Sequence, residues 1–164
     1  MKSLGFWTGI IAVAGIAGVL SFRTAVATDP QMPDRKLTPG GWHHPPTSLE
    51  VLCQTGYTKT VRHVTKSMKA EVFRRYGYDP QSINWGDFEI DHSVPLAIDG
   101  TNAVQNLWPQ SYTTQPLNAH RKDVLENALH RLVCDRQLDL ATAQQAIATN
   151  WVAAYQKYVL HQQN

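Results

Sequence analysis

The sequence predicts an α+β fold, mainly helical by residue count, with one short β-hairpin embedded among helices. Apolar residues recur at helical spacing in three stretches, 67–76, 117–133 and 140–159. Between the first two lies a β-type run at 88–92 and a second one at Asn106-Leu107-Trp108, separated by an Asp99-Gly100 turn signal.

The elements follow in order. The segment 28–48 carries Pro30, Pro33, Pro39, Pro45 and Pro46 among glycines and polar residues, with little apolar periodicity, so it reads as a flexible tether. His43-His44 inside it reads as solvated linker. The folded domain then spans 49–164. Ser67 is a candidate N-cap for a helix to Tyr76, with Met68, Val72, Phe73 and Tyr76 on its buried side and Gly77 as its stop. The strand 88–92 leads into Ser93-Val94-Pro95-Leu96. Asp99, Thr101 and Asn102 read as a turn, since no EF-type loop surrounds them. Pro109 is expected to limit the second strand.

Pro116 precedes a helix over 117–133, whose buried stripe is Leu117, Val124, Leu125, Ala128, Leu129 and Leu132. Asn118, Lys122 and Glu126 recur every four residues and share another face. Asp139 caps the last helix, 140–159, with a core stripe of Leu140, Ala143, Ile147, Trp151, Ala154 and Tyr158. At this spacing Trp151, Tyr155 and Tyr158 are assigned to packing, with stacking on nucleic-acid bases as the alternative.

Residues 1–27 read as a secretory signal: Lys2, an apolar run from Leu4 to Phe22, and a small-x-small site at Ala25-Val26-Ala27. The run is also long enough to span a bilayer, with Arg23 as a stop, which leaves an uncleaved anchor as the alternative. The expected location is periplasmic or secreted, or inner-membrane anchored facing the periplasm. No stable membrane association is expected once the signal is removed. The chain has 15 Lys+Arg and 13 Asp+Glu; removing residues 1–27, with Lys2, Arg23 and no acids, leaves 13 of each. A globally basic nucleic-acid binder is excluded. The charge is uneven all the same: Lys59, Arg62, Lys66, Lys69, Arg74 and Arg75 face only Glu71 within 59–75. Phosphate binding needs such a local basic patch, and a solvated face is its alternative. Cys53 and Cys134, an even count in an exported chain, suggest a disulfide. Zinc ligation is disfavoured, because no C-x-x-C and no nearby histidine accompanies either cysteine.

The stretch from Phe88 to Glu126 carries the chemistry. It contains Glu89-x-Asp91-His92-x-x-Pro95-Leu96, then Gly100-x-Asn102, then Asn106-Leu107-Trp108-Pro109-Gln110, and Asn118 at the mouth of a helix. Hydrolysing a phosphodiester needs a base for the attacking water and a cation for the developing charge. A histidine titrating near working pH and hard oxygen donors suit those needs. The pattern resembles the HNH endonuclease family, whose active site is a ββα-metal finger, over about 89–126. The resemblance implies His92 as general base, Asp91 and Asn118 as metal ligands, and Asn106 as the brace that holds the histidine. Glu89 would support the site, and Lys122 would act on phosphate or pair with Glu126. His120, two residues beyond Asn118, is the alternative ligand. Oxygen donors favour Mg²⁺ or Mn²⁺, whereas a histidine ligand would move the preference toward Zn²⁺ or Ni²⁺. One tension is already visible: adjacent residues of a regular strand point to opposite faces, so Asp91 and His92 share a site only if the strand ends or twists there.

The expected function is therefore a metal-dependent endonuclease on nucleic acid, DNA first, with little sequence preference. An RNase, or a non-catalytic nucleic-acid-binding or envelope module on the same scaffold, are the alternatives. The expected partner is nucleic acid; the sequence names no protein partner either way.

Overall fold

The computed structural model describes residues 31–161, so the signal or anchor expected at 1–27 lies outside the described residues. The architecture is α+β and mainly helical. Its elements are α1 (Leu49–Leu52), α2 (Tyr57–Val61), α3 (Lys66–Arg75), β1 (Phe88–His92), β2 (Leu107–Ser111), α4 (Ala119–Cys134) and α5 (Leu140–Tyr155). A π-helical turn, Gln156–Leu160, extends α5.

Strands β1 and β2 form an antiparallel pair in which Asp91 faces Trp108, Glu89 faces Gln110 and His92 faces Leu107. β2 continues through Pro109 to Ser111, further than the sequence suggested. Each strand of a two-stranded sheet is an edge strand, where a residue lacking an N–H is tolerated. One face of the hairpin, with Ile90 and Leu107, packs on Val72 and Phe73 of α3. Helix α4 crosses near β1 and joins α5 in the larger core. Trp151, Tyr155 and Tyr158 are buried in that core, so the packing assignment holds.

Local chemistry sets the helix ends. Thr65, rather than Ser67, caps α3: its hydroxyl accepts from the Met68 amide at 3.2 Å. Asn118 caps α4 and Asp139 caps α5, the latter accepting from Thr142 N at 3.0 Å. Helix α5 bends at Asn150, whose Oδ1 accepts from Ala153 N and restarts the helix.

Residues 31–48 are docked on the domain, which corrects the expectation of a flexible tether over that part. Thr38, fully buried, donates to Leu107 O at 2.9 Å. Arg35 donates to Ala148 O, and Trp42 forms a bridge with Gly100. His43 Nδ1 lies 3.1 Å from the buried Asp99 carboxylate, which also accepts from Thr47 N at 2.9 Å. Prolines keep this segment out of regular structure, but its backbone groups still find partners in the domain.

Cys53 and Cys134 form a disulfide across a separation of 81 residues, tying the end of α1 to the end of α4. Among the described residues, no helix is long and apolar enough to cross a membrane. The disulfide is compatible with export.

Candidate active site

The site is built where α4 lies against the hairpin. Strand alternation separates the Asp91-His92 pair. Asp91 turns toward Lys122 of α4 and His92 toward Asn102, as their contacts show. Lys122, one turn into α4 and 1% exposed, places its ammonium 2.7 Å from Asp91 Oδ2 and 2.5 Å from Glu126 Oε1. It also donates to His92 O at 2.7 Å. The Asp91 contact is a buried ion pair. Asp91 Oδ1 accepts from His92 N at 2.7 Å. Two carboxylates thus share one buried ammonium. Burial pulls Lys122 toward neutrality, but Asp91 and Glu126 outweigh it, and the group stays charged. Burial pushes Glu126 up, against the pull of Lys122. Glu126 is thereby held above the usual carboxylate range.

His92 is 2% exposed. Burial lowers its pKa to about 4, against the opposing pull of Asp91, so the ring is neutral near pH 7. Its Nε2 lies 3.3 Å from Asn102 Oδ1. The Asn102 amide is oriented from both ends: Nδ2 donates to Val61 O at 2.8 Å, and Oδ1 accepts from His63 N at 3.1 Å. An oxygen therefore faces the ring, which places the proton on Nε2 and the lone pair on Nδ1. Sequence reasoning counted Asn102 in the motif and placed it in a turn, with no role toward His92. The Gly100-x-Asn102 spacing was the available signal, but it gave no hint of a contact with His92.

Asn106 is fully buried and uses its whole side chain. Oδ1 accepts from Val94 N at 2.9 Å and Gly41 N at 3.1 Å; Nδ2 donates to Val94 O at 2.9 Å and Thr101 O at 2.8 Å. Its own carbonyl accepts from Ser93 N at 2.7 Å. It clamps the loop that follows His92, as a brace would. Gly100 in that loop admits no side chain: a Cβ there would stand 1.8 Å from Val94 O.

Asn118 Oδ1 accepts from Arg121 N at 3.3 Å, and Nδ2 donates to Tyr112 O at 3.0 Å. His120 is exposed and stacks on Tyr112, ring centroids 4.9 Å apart. Glu89 is half-buried; burial first, then Asp91 and Asp123, raise its pKa to about 7. Asp123 is raised as well, chiefly by burial and then by Asp91. Trp108 Nε1 and both ends of the Gln110 amide are buried without a protein hydrogen-bond partner among the described residues. They face Asp91 and Glu89 across the hairpin.

The donors fit a hard divalent ion in kind. Asp91 offers a carboxylate whose Oδ2 is held by the Lys122 ammonium, and Asn118 Oδ1 accepts a long cap contact from Arg121 N. Lys122 stands beside the first of them and competes for its charge.

The basic residues of 59–75 divide. Arg62 and Lys69 line one cleft with Glu89 and Tyr112, beside the site. Lys59, Lys66 and Arg74 are exposed. Arg75 is structural, donating to Val104 O at 2.9 Å and to Leu37 O. A separate group comprises Cys53, His130 and Cys134, whose donor atoms lie within 4.8 Å of one another. His130 Nε2 lies 3.4 Å from Cys134 Sγ, so a histidine does accompany a cysteine, one helical turn away. The three could hold a metal ion by type, but here the two sulfurs are bonded to each other. Compared with protein-family models, curated proteins and solved structures, the chain matches none.

Proposed function

We propose that the chain is a metal-dependent endonuclease of the HNH type that hydrolyses phosphodiester bonds of DNA with little sequence preference. The observation that carries this reading is the state of His92: a neutral imidazole whose tautomer Asn102 fixes, with Nδ1 left as the proton acceptor. That is the state a general base needs before it takes a proton from water. Asn106 clamps the loop behind it, and Lys122 anchors its carbonyl, so the ring is positioned from two sides. Asp91 and Asn118 would hold a Mg²⁺ or Mn²⁺ ion, which supplies charge stabilisation to the phosphate when bound. Arg62 and Lys69 attract the anionic strand toward the same face.

A second reading has its own observation. His92 is almost fully enclosed, strand alternation turns it toward Asn102 while Asp91 turns toward Lys122, and Lys122 already balances much of the acidic charge. Such internal satisfaction favours a non-catalytic nucleic-acid-binding or envelope module on the same scaffold. An RNase uses the same groups, since phosphate contacts do not select the sugar.

Plasmid nicking separates these. Cleavage that EDTA abolishes and Mg²⁺ restores is expected, with His92→Ala losing about 10²–10⁴ in rate while still binding DNA. Near-parental turnover by His92→Ala removes the base assignment. Binding without cleavage under any divalent ion establishes the second reading.

A further inference from the structure

A cleft of about 510 Å³ runs beside the site, lined by aromatic rings, two cations and one carboxyl group. Phe88, Glu89 and Ile90 of β1 contribute to it, and β1 pairs with β2 alone among the described strands. Trp85 and Tyr112 add two half-buried aromatic rings, and Arg62 and Lys69 add two cations. Trp85 is held in place: its Nε1 donates to Pro80 O at 2.9 Å, and its ring meets Phe73 edge-on at 5.1 Å. Tyr112 is held by the stack with His120. The volume suits one small ligand or one nucleotide.

We infer that this cleft binds an unpaired nucleotide of the strand being cut, with its base against Trp85, Phe88 or Tyr112 and its phosphates toward Arg62 and Lys69. The inference rests on the nuclease reading and adds the form of substrate. Fixed aromatic faces reward a base that offers its own face, and bases in a duplex are already stacked on one another. The two cations in the lining match the flanking phosphates. Glu89, the carboxyl group in the lining, offers oxygens that accept hydrogen bonds from exocyclic amines, so it orients the base edge toward itself. Tyr112 O also accepts from Asn118 Nδ2, which connects the cleft to the proposed catalytic centre through one residue.

The test is equilibrium binding of the full chain in EDTA, where no turnover occurs, to a fluorescein-labelled ten-nucleotide single strand and to a blunt ten-base-pair duplex. The single strand should bind about tenfold tighter or more. Trp85→Leu and Tyr112→Leu should each weaken single-strand binding by about fivefold or more and leave duplex binding unchanged. Arg62→Gln should flatten the slope of log K against log salt by about 0.7 on the single strand. Thermal melts identify variants that fail to fold. If Trp85→Leu is one of them, Tyr112→Leu and Arg62→Gln still decide. Equal affinity for both forms, or folded variants with parental affinity, overturn the cleft assignment even if plasmid is nicked normally. Single-strand binding through these residues with no cleavage keeps the cleft and overturns the nuclease reading.

Discussion

The Lys122 ammonium lies 2.7 Å from the Asp91 carboxylate, in an interior where neither side chain is more than 8% exposed. A metal-binding carboxylate was expected at position 91, and the fold already supplies it with a cation. Glu126 completes the set one turn further along α4.

Removing that cation should be costly. Lys122→Met leaves two buried carboxylates without compensation, and urea unfolding should show a loss of about 3–5 kcal/mol. Adding Glu126→Gln should recover part of it, because one of the two uncompensated charges is gone. A Lys122→Met variant as stable as the parent means the triad is not charged in the folded protein.

His92 makes stability depend on pH. Its folded pKa is about 4 against an ordinary 6.5. Between these values the unfolded chain holds the extra proton, so stability is full above 6.5 and falls as pH drops toward 4, by about 3 kcal/mol. Glu89, raised from 4.5 to about 7, acts in the opposite sense: its contribution is full below 4.5 and is lost as pH rises through 7. The two partly cancel in the parent, so the measurement is a difference. The stability of the parent relative to His92→Gln should decline by about 3 kcal/mol from pH 7 to pH 4. A difference that does not change with pH rules out a buried neutral imidazole.

Asn106→Ala should lower stability by on the order of 3 kcal/mol, since it strands Val94 N, Val94 O and Thr101 O inside the fold. Asn106→Asp, the same size but unable to donate, should recover little. Chemical denaturation reads both. A cost under about 1 kcal/mol would mean that water replaces the amide and the brace is dispensable.

The metal assignment distinguishes Asn118 from His120. Asn118→Ala should lower Mg²⁺ affinity and cleavage together by roughly tenfold or more, and lose about 1 kcal/mol of helix capping. Asn118→Asp should retain both the cap and the metal. His120→Ala, which removes only an exposed ring stacked on Tyr112, should leave metal dependence as it is. Mg²⁺ and Mn²⁺ should support the parent and Zn²⁺ poorly, with Asn118→His moving the preference toward Zn²⁺ or Ni²⁺. Metal loss in His120→Ala instead would transfer the ligand role to His120.

Oxidised protein should yield no alkylatable thiol, and reduction should cost about 4 kcal/mol by the loop-entropy model. Mass spectrometry after alkylation checks the first and urea unfolding the second. A reduced protein of unchanged stability would show that the bridge closes a loop the fold already holds.

Much of the layout was legible in the chain. The hairpin's first strand, the helices expected over 117–133 and 140–159 and found over 119–134 and 140–155 with Asp139 as cap, and the Cys53–Cys134 pair follow from periodicity, capping chemistry and an even cysteine count, although Val124 of the expected stripe is exposed. These are local signals, or a count of two. The cap of α3 was misplaced by two residues because Thr65 and Ser67 are equally good caps by type. The docking of 31–48 was invisible because its partners, Leu107, Asp99 and Ala148, lie more than fifty residues away.

The sequence by itself determined which side chains are available along β1 and α4, and that Lys122 and Glu126 share one helical face with Asn118 at the helix mouth. Only the tertiary structure decided what that face meets. It set Lys122 between Asp91 and Glu126, turned His92 toward Asn102, and left Arg62 and Lys69 on the wall of an aromatic cleft. Periodicity fixes direction around an element's own axis. Burial, desolvation and the choice of charge partner depend on the distance between elements, which no spacing along the chain encodes.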